Sequence, residues 1–306
     1  MTPHHLEMIR ALAADHRSGA TALTGRAIAI LQAAGAGGPE AVRAAAAALC
    51  RAQPSMAPIW VAAGLAVADA ADGGRRLERL GRQRERAAQA IARLAGDLLA
   101  LGAPAPLRLV TVSASDTVLA CLRALAAAGP LEVACAEGRP AMEGRTLAVA
   151  LAAAGVTVAS YTDAAIGTAL AGAGAVVVGA DAAGPGWIIN KCGTAAVAAL
   201  AAARGIPVYA LAGREKFLPE PLASRLPLRA GPPDEVWPDA PGQIDVRNPY
   251  FERVPADLLA GIITDGGPVG GAAIAELCQA TAWQIGTDAL SVLSSWLDAS
   301  PDGPST

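Results

Sequence analysis

Residues 176–216, VVVGADAAGPGWIINKCGTAAVAALAAARGIPVYALAGREK, constrain this chain more than any other stretch. Three successive β-branched residues, Val176, Val177 and Val178, run into Gly179, Ala180 and Asp181. A loop with two glycines and a proline follows, and Asn190-Lys191-Cys192-Gly193-Thr194 opens an alanine-rich helix. Residues 206–211 read as the next strand. Strand, loop, helix, strand is a βαβ unit, and its two strands belong to one parallel sheet. In such sheets ligands sit beyond the carboxyl ends of the strands. Asp181 and Lys191 both fall there.

The same grammar extends to either side. Strands are expected at 107–111, 131–136, 156–160, 175–178 and 208–211, with helices near 116–128, 143–154, 163–173 and 192–204. That alternation predicts an α/β fold with a doubly wound parallel sheet. Residues 218–247 are rich in proline and poor in pattern, and 258–264 reads as a late strand. Before 103 the pattern is helical throughout, ending in a long amphipathic helix at 75–101. Pro104-Ala105-Pro106 marks a boundary. The expected organisation is a helical N-terminal domain, 1–103, and a Rossmann-like ligand-binding domain, 104–306.

With 53% hydrophobic and 17% charged residues, the bulk of the chain is not disordered. A net charge of −3 gives no pull toward nucleic acid or anionic lipid. The arginines of 75–86 are interleaved with Glu78 and Glu85 and with apolar Leu77 and Leu80. A solvated helix face accounts for them, and no direct nucleic-acid binding is expected. The most apolar stretch, 164–183, holds Asp181 and four glycines, so no membrane span is expected. The first residues lack a basic segment followed by an apolar run. Five cysteines show no CxxC spacing, which suits reduced thiols in a cytoplasmic protein and gives no metal site.

Several strand ends carry residues with chemistry. Ser113, Ser115 and Asp116 follow the first strand. They are natural helix N-caps, and hydroxyls and amides at a helix start also hold phosphate. Glu137 and Arg139 follow the second strand and suit an anionic, hydroxylated ligand. Asp163 follows the third and reads as an N-cap. Asp181 ends a buried valine run, where desolvation raises a carboxyl pKa toward acid–base work.

In order along the chain stand EGRPAMEG (137–144), YTDAA (161–165), VVVGAD (176–181), NKCGT (190–194), IPVYALAGREKF (206–217) and NPYFERVPADLLAGIIT (248–264). This set resembles one family. Its members are the alpha, beta and delta regulatory subunits of translation initiation factor 2B, methylthioribose-1-phosphate isomerase and ribose-1,5-bisphosphate isomerase. Residues 15–20, DHRSGA, resemble the family's phosphate loop. The resemblance covers about residues 6–285. It implies a helical domain joined to a Rossmann-like domain, a homodimer, and a phosphorylated sugar or nucleotide as ligand. Its isomerases turn an aldose 1-phosphate into a ketose 1-phosphate with a cysteine and an aspartate.

Carried over, the aspartate is Asp181, and the cysteine position falls on Ser113. Asn190, Lys191, Arg17, Gly19 and Ala20 match ligand and phosphate positions, and Ser115, Glu137 and Arg139 complete the candidate set. Two departures stand out. Serine is a far weaker acid than a thiol, and Gln53 stands where many members carry a phosphate-binding arginine. EG in place of QG at 143–144 is similar to the regulatory branch. Two functions follow: a phosphosugar- or nucleotide-binding protein with isomerase-like architecture, or a non-catalytic regulatory scaffold. A nicotinamide-dependent enzyme is a third reading, but no GxGxxG follows the first Rossmann strand, and no cofactor is expected.

Overall fold

The computed structural model describes residues 1–15, 19–70, 74–102, 104–228 and 230–298. Helices come first: α1 (Pro3–Ala13), α2 (Ala20–Gly35), α3 (Gly38–Ala52), α4 (Ala57–Ala68) and α5 (Arg75–Ala100). Apolar on every side, α4 is buried along nearly its whole length. The amphipathic α5 has 26 residues and spans about 39 Å. Leu77 and Leu80 in its first half join the helical core. Ala87, Ile91, Ala95 and Leu99 in its second half pack against the sheet. Arg75, Arg76, Arg79, Arg82 and Arg86 are exposed, and Arg84 is half-buried.

The sheet follows. Its elements are β1 (Leu107–Val112), α6 (Asp116–Ala128), β2 (Leu131–Ala136), α7 (Glu143–Ala152), β3 (Thr157–Tyr161), a 3-10 helix (Asp163–Leu170) and β4 (Ala175–Gly179). Then come β5 (Ala182–Gly184), β6 (Trp187–Lys191), α8 (Thr194–Ala202), β7 (Val208–Leu211), a short α9 (Glu220–Ala223), β8 (Phe251–Pro255), β9 (Gly261–Thr264) and β10 (Gly267–Val269). Helices α10 (Ala272–Ile285) and α11 (Thr287–Asp298) close the described chain.

Seven strands form the main sheet in the order β10-β9-β7-β4-β1-β2-β3. All pair parallel except β10, which runs antiparallel to β9. The order reverses between β1 and β4, which are hydrogen-bonded neighbours. In a doubly wound sheet the crevice outside that reversal is where ligands bind.

The structure corrects three expectations. Asn190 and Lys191 do not open a helix; they end β6, and α8 begins at Thr194. Between β4 and α8 the chain makes a hairpin, β5–β6, whose turn carries Gly186 at φ 84°. With β8 it forms a separate three-stranded antiparallel sheet. The span expected as a helix at 163–173 is a 3-10 helix. Asp163 does not cap it. Its carboxylate accepts from the backbone N–H of Gly138 and Arg139, at 2.8 and 2.7 Å.

Helix α10 spans both cores, with Ile274 and Cys278 buried in an apolar cluster of the main sheet, while its end and α11 lie with the helices. Ile285, Ala289, Leu293 and Leu297 are buried in the same apolar cluster as Leu12, Leu31 and Trp60.

Candidate functional site

The valines of β4 are completely enclosed, so the chain emerges from the sheet at Gly179. Glycine is required there: a Cβ would lie 2.9 Å from the Oγ of Ser115. Ser115 is the N-cap of α6, its Oγ accepting from the N–H of Val118. The end of β4 is thereby pressed against the start of α6. Ser113, just past β1, is buried and holds a φ of 62°. Non-glycine residues in that region are uncommon and cluster at functional sites.

Asp181 follows β4 by two residues, and its backbone N–H donates to the carbonyl of Ile189 at 2.8 Å. That bond holds the β5–β6 hairpin against it and brings Asn190 and Lys191 back over the end of β4. Burial raises the Asp181 carboxyl above its ordinary pKa. Lys216 and Lys191 oppose that shift, and Glu143 adds to it. Lys191 is 4% exposed, and its Nζ donates to Oε1 of Glu143 at 3.0 Å. The Tyr250 ring centroid lies 5.1 Å from the same Nζ. Asn190 Nδ2 donates to Thr194 Oγ1, which donates in turn to the Lys191 carbonyl.

Ser113, Ser115, Glu143, Asp181, Asn190, Lys191 and Lys216 line one cleft of about 330 Å³ at the β1/β4 reversal. The start of α2, at Gly19, Ala20 and Thr21, forms the facing wall. Gly19 is the N-cap of α2 and offers no side chain to its first amides. The starts of α2 and α6 therefore both turn toward the cleft, and helix starts favour anions.

Of the candidate residues, Gly19, Ala20, Ser113, Ser115, Asp181, Asn190 and Lys191 line the cleft. Arg17 lies outside the described residues. Gln53, Glu137 and Arg139 are elsewhere. The Gln53 Nε2 donates to the carbonyl of Leu12 at 3.0 Å. Glu137 is buried and paired with Arg145 at 2.7 Å, and Arg139 is exposed. Two cleft residues escaped the sequence reading. Glu143 lies within the EGRPAMEG motif, but an acid in a helix's first turn reads as a partner for the helix dipole. Lys216 closes the REK triplet beyond β7, a strand end of the kind that places ligand residues. Among the described residues no group of three or more His, Cys, Asp or Glu could hold a metal ion.

The Initiation factor 2 subunit family matches residues 39–271, about three quarters of the chain. The chain belongs to that family. A methylthioribose-1-phosphate isomerase of Trichlorobacter lovleyi is 40% identical over 100 residues, which is 30% of this chain and 29% of that protein. The match thus spans under a third of that relative's length. Among solved structures, the translation initiation factor eIF-2B of Pyrococcus horikoshii OT3 superposes with a TM-score of 0.76 at 24% identity, covering 88% of this chain and 98% of that one. A chain of the tetrameric eIF2B-beta2-delta2 complex from C. thermophilum gives 0.69 at 22%, covering 90% and 94%. These likenesses are of fold. The initiation factor 2 subunit fold is thus present from the helical region through the main sheet, with no helix among the described residues long and apolar enough to cross a membrane.

Proposed function

We propose that this chain binds a phosphorylated sugar in the cleft at the β1/β4 reversal. One observation carries the proposal: Asp181, Lys191 and Lys216 share that cleft with the starts of α2 and α6. The helix starts and Lys216 suit a phosphate, and the half-buried acid and the buried amide suit hydroxyls. A thermal-shift titration with ribose 5-phosphate, methylthioribose 1-phosphate, AMP and inorganic phosphate tests it. Any ligand bound at 100 times its Kd stabilises the fold by about 2.7 kcal/mol, a shift of several degrees. No shift with any phosphorylated ligand rejects the proposal.

A second reading is turnover, favoured by the raised Asp181 carboxyl and by the isomerase relative. A cyclic sugar 1-phosphate becomes an open ketose 1-phosphate in a balanced exchange. The ring oxygen gains a proton as its bond to C1 breaks, C2 passes its hydrogen to C1, and the C2 hydroxyl loses its proton. One oxygen gains the proton that the other loses, so a single group able to give and take a proton serves both steps. Asp181 is that group. The Ser113 hydroxyl positions the reacting atoms without acting as a strong acid. Product formation from methylthioribose 1-phosphate distinguishes turnover from binding alone.

Assembly of like chains belongs to the same proposal. The tetrameric relative supports it, and light scattering on the purified protein reads it directly; a monomer at all concentrations rejects it.

A further inference from the structure

Arg84 stands apart from its neighbours on α5. Arg82 and Arg86 are exposed, while Arg84 is half-buried. Its Nη2 donates to the carbonyl of Thr21 at 2.5 Å. Its Nη1 lies 3.9 Å from where a Cβ on Gly25 would stand, so the guanidinium rests against the first turns of α2. Burial lowers the pKa of Arg84, and Glu215 and Glu85 oppose that shift. Glu215 belongs to the turn Arg214–Lys216, next to the lysine that lines the cleft. Arg84 is not among the residues that line the cleft; it sits behind the wall formed by Gly19, Ala20 and Thr21.

This placement is unfavourable for the empty protein. The start of a helix carries partial positive charge, so a cation beside it opposes the helix dipole. Partial burial adds a desolvation cost, and arginine keeps its charge regardless. Both effects reverse when an anion sits at the start of α2. The amides of the first turn and the guanidinium behind them then attract the same charge, and a half-enclosed site screens that attraction less than open water. The bond to Thr21 also fixes the turn that presents those amides.

We infer that Arg84 is a positioning residue for the ligand's phosphate: it fixes the first turn of α2 and adds a permanent positive charge behind the amides that face the cleft. It acts through α2 and touches no ligand atom. Glu215 tempers that charge from the far side. The inference rests on the phosphosugar proposal above.

Calorimetric titration of ribose 5-phosphate and inorganic phosphate into the wild type, Arg84→Met, Arg84→Lys and Glu215→Gln tests it. Arg84→Met is expected to weaken both ligands by the same factor, about 5-fold, the order of one charge at a helix end. Arg84→Lys keeps the charge and is expected to stay within about 2-fold of the wild type. Glu215→Gln is expected to tighten both ligands, whereas a purely structural tie between Glu215 and Arg84 would make it weaken them. Unchanged affinity in Arg84→Met, equal losses in Arg84→Met and Arg84→Lys, or ribose 5-phosphate weakened with inorganic phosphate untouched overturns the inference and leaves the phosphosugar proposal standing. So does weaker or unchanged binding in Glu215→Gln. A wild type that binds neither ligand overturns both. Should Arg84→Met not fold, Arg84→Lys and Glu215→Gln decide: retained binding in the first with tighter binding in the second supports the inference, and any other pair of results overturns it.

Discussion

Lys216 Nζ stands 3.9 Å from Asp181 Oδ1, and the lysine is the more enclosed partner, 12% exposed against 27%. The contact is too long for a strong hydrogen bond, and burial dominates the carboxyl. A carboxyl whose folded pKa is raised binds more protons in the folded state than in the unfolded one, so stability falls as pH rises through that interval. The ordinary value is 3.8, and the window opens there and extends upward. Asp181→Asn removes the effect. It is expected to match the wild type below about pH 3.8 and to exceed it at neutral pH. Denaturant unfolding across pH 3–8 measures the gap, and a gap that closes toward neutral pH contradicts it. Where turnover is detected, the same variant loses it by about 10²-fold or more while still binding ligand.

Ser113 carries a left-handed backbone at the edge of the cleft. For a residue with a Cβ that conformation costs about 1–2 kcal/mol. Ser113→Gly is expected to stabilise the protein by about 1 kcal/mol in urea unfolding. Ser113→Cys leaves the backbone cost in place but introduces a far stronger acid, so turnover of methylthioribose 1-phosphate rises in that variant. Equal rates in wild type and Ser113→Cys would show that residue 113 handles no proton.

Gly144→Ala places a methyl 1.9 Å from a backbone oxygen, a clash no rotamer relieves. Overpacking of this kind costs about 1–3 kcal/mol, and more where backbone must move. A fall in Tm of several degrees is expected, together with weaker ribose 5-phosphate binding as Glu143 shifts. A variant with wild-type Tm and binding contradicts that close approach.

Four of the five cysteines, Cys50, Cys121, Cys135 and Cys278, are buried. Burial pushes Cys121, Cys135 and Cys278 up to about 12, and Cys50 higher still. Cys192, beside Lys191, is only half-buried; burial and Glu252 raise it while Lys191 lowers it. Ellman's reagent is expected to titrate a single thiol in the native protein and five after denaturation. More than one rapid native thiol, or a rapid thiol surviving Cys192→Ser, contradicts the burial pattern.

The parallel sheet was legible because its strands are β-branched runs separated by alanine-rich helices, a local signal. The three-stranded sheet was not. Ala182–Gly184 has no strand propensity, and β6 finds its outer partner only in β8, far along the chain. Reading Asn190 and Lys191 as a helix start followed from the alanines beyond them. Within the cleft, Ser113 and Asp181 announce themselves as polar residues at strand ends. Glu143 does not, because its importance lies in a side-chain contact across the fold. Gln53 shows the converse: a plausible ligand residue by position whose amide is already engaged by Leu12.

Leu293 and Leu297 of α11 share an apolar cluster with Leu12 and Leu31 of the first helices. During synthesis those first helices leave the ribosome long before α11 exists, with a face of their core uncovered. The sheet can complete itself from sequence already made; the helical core cannot. A chain that ends between residues 270 and 286 therefore has every strand and an open apolar seam, a substrate for chaperones and proteases.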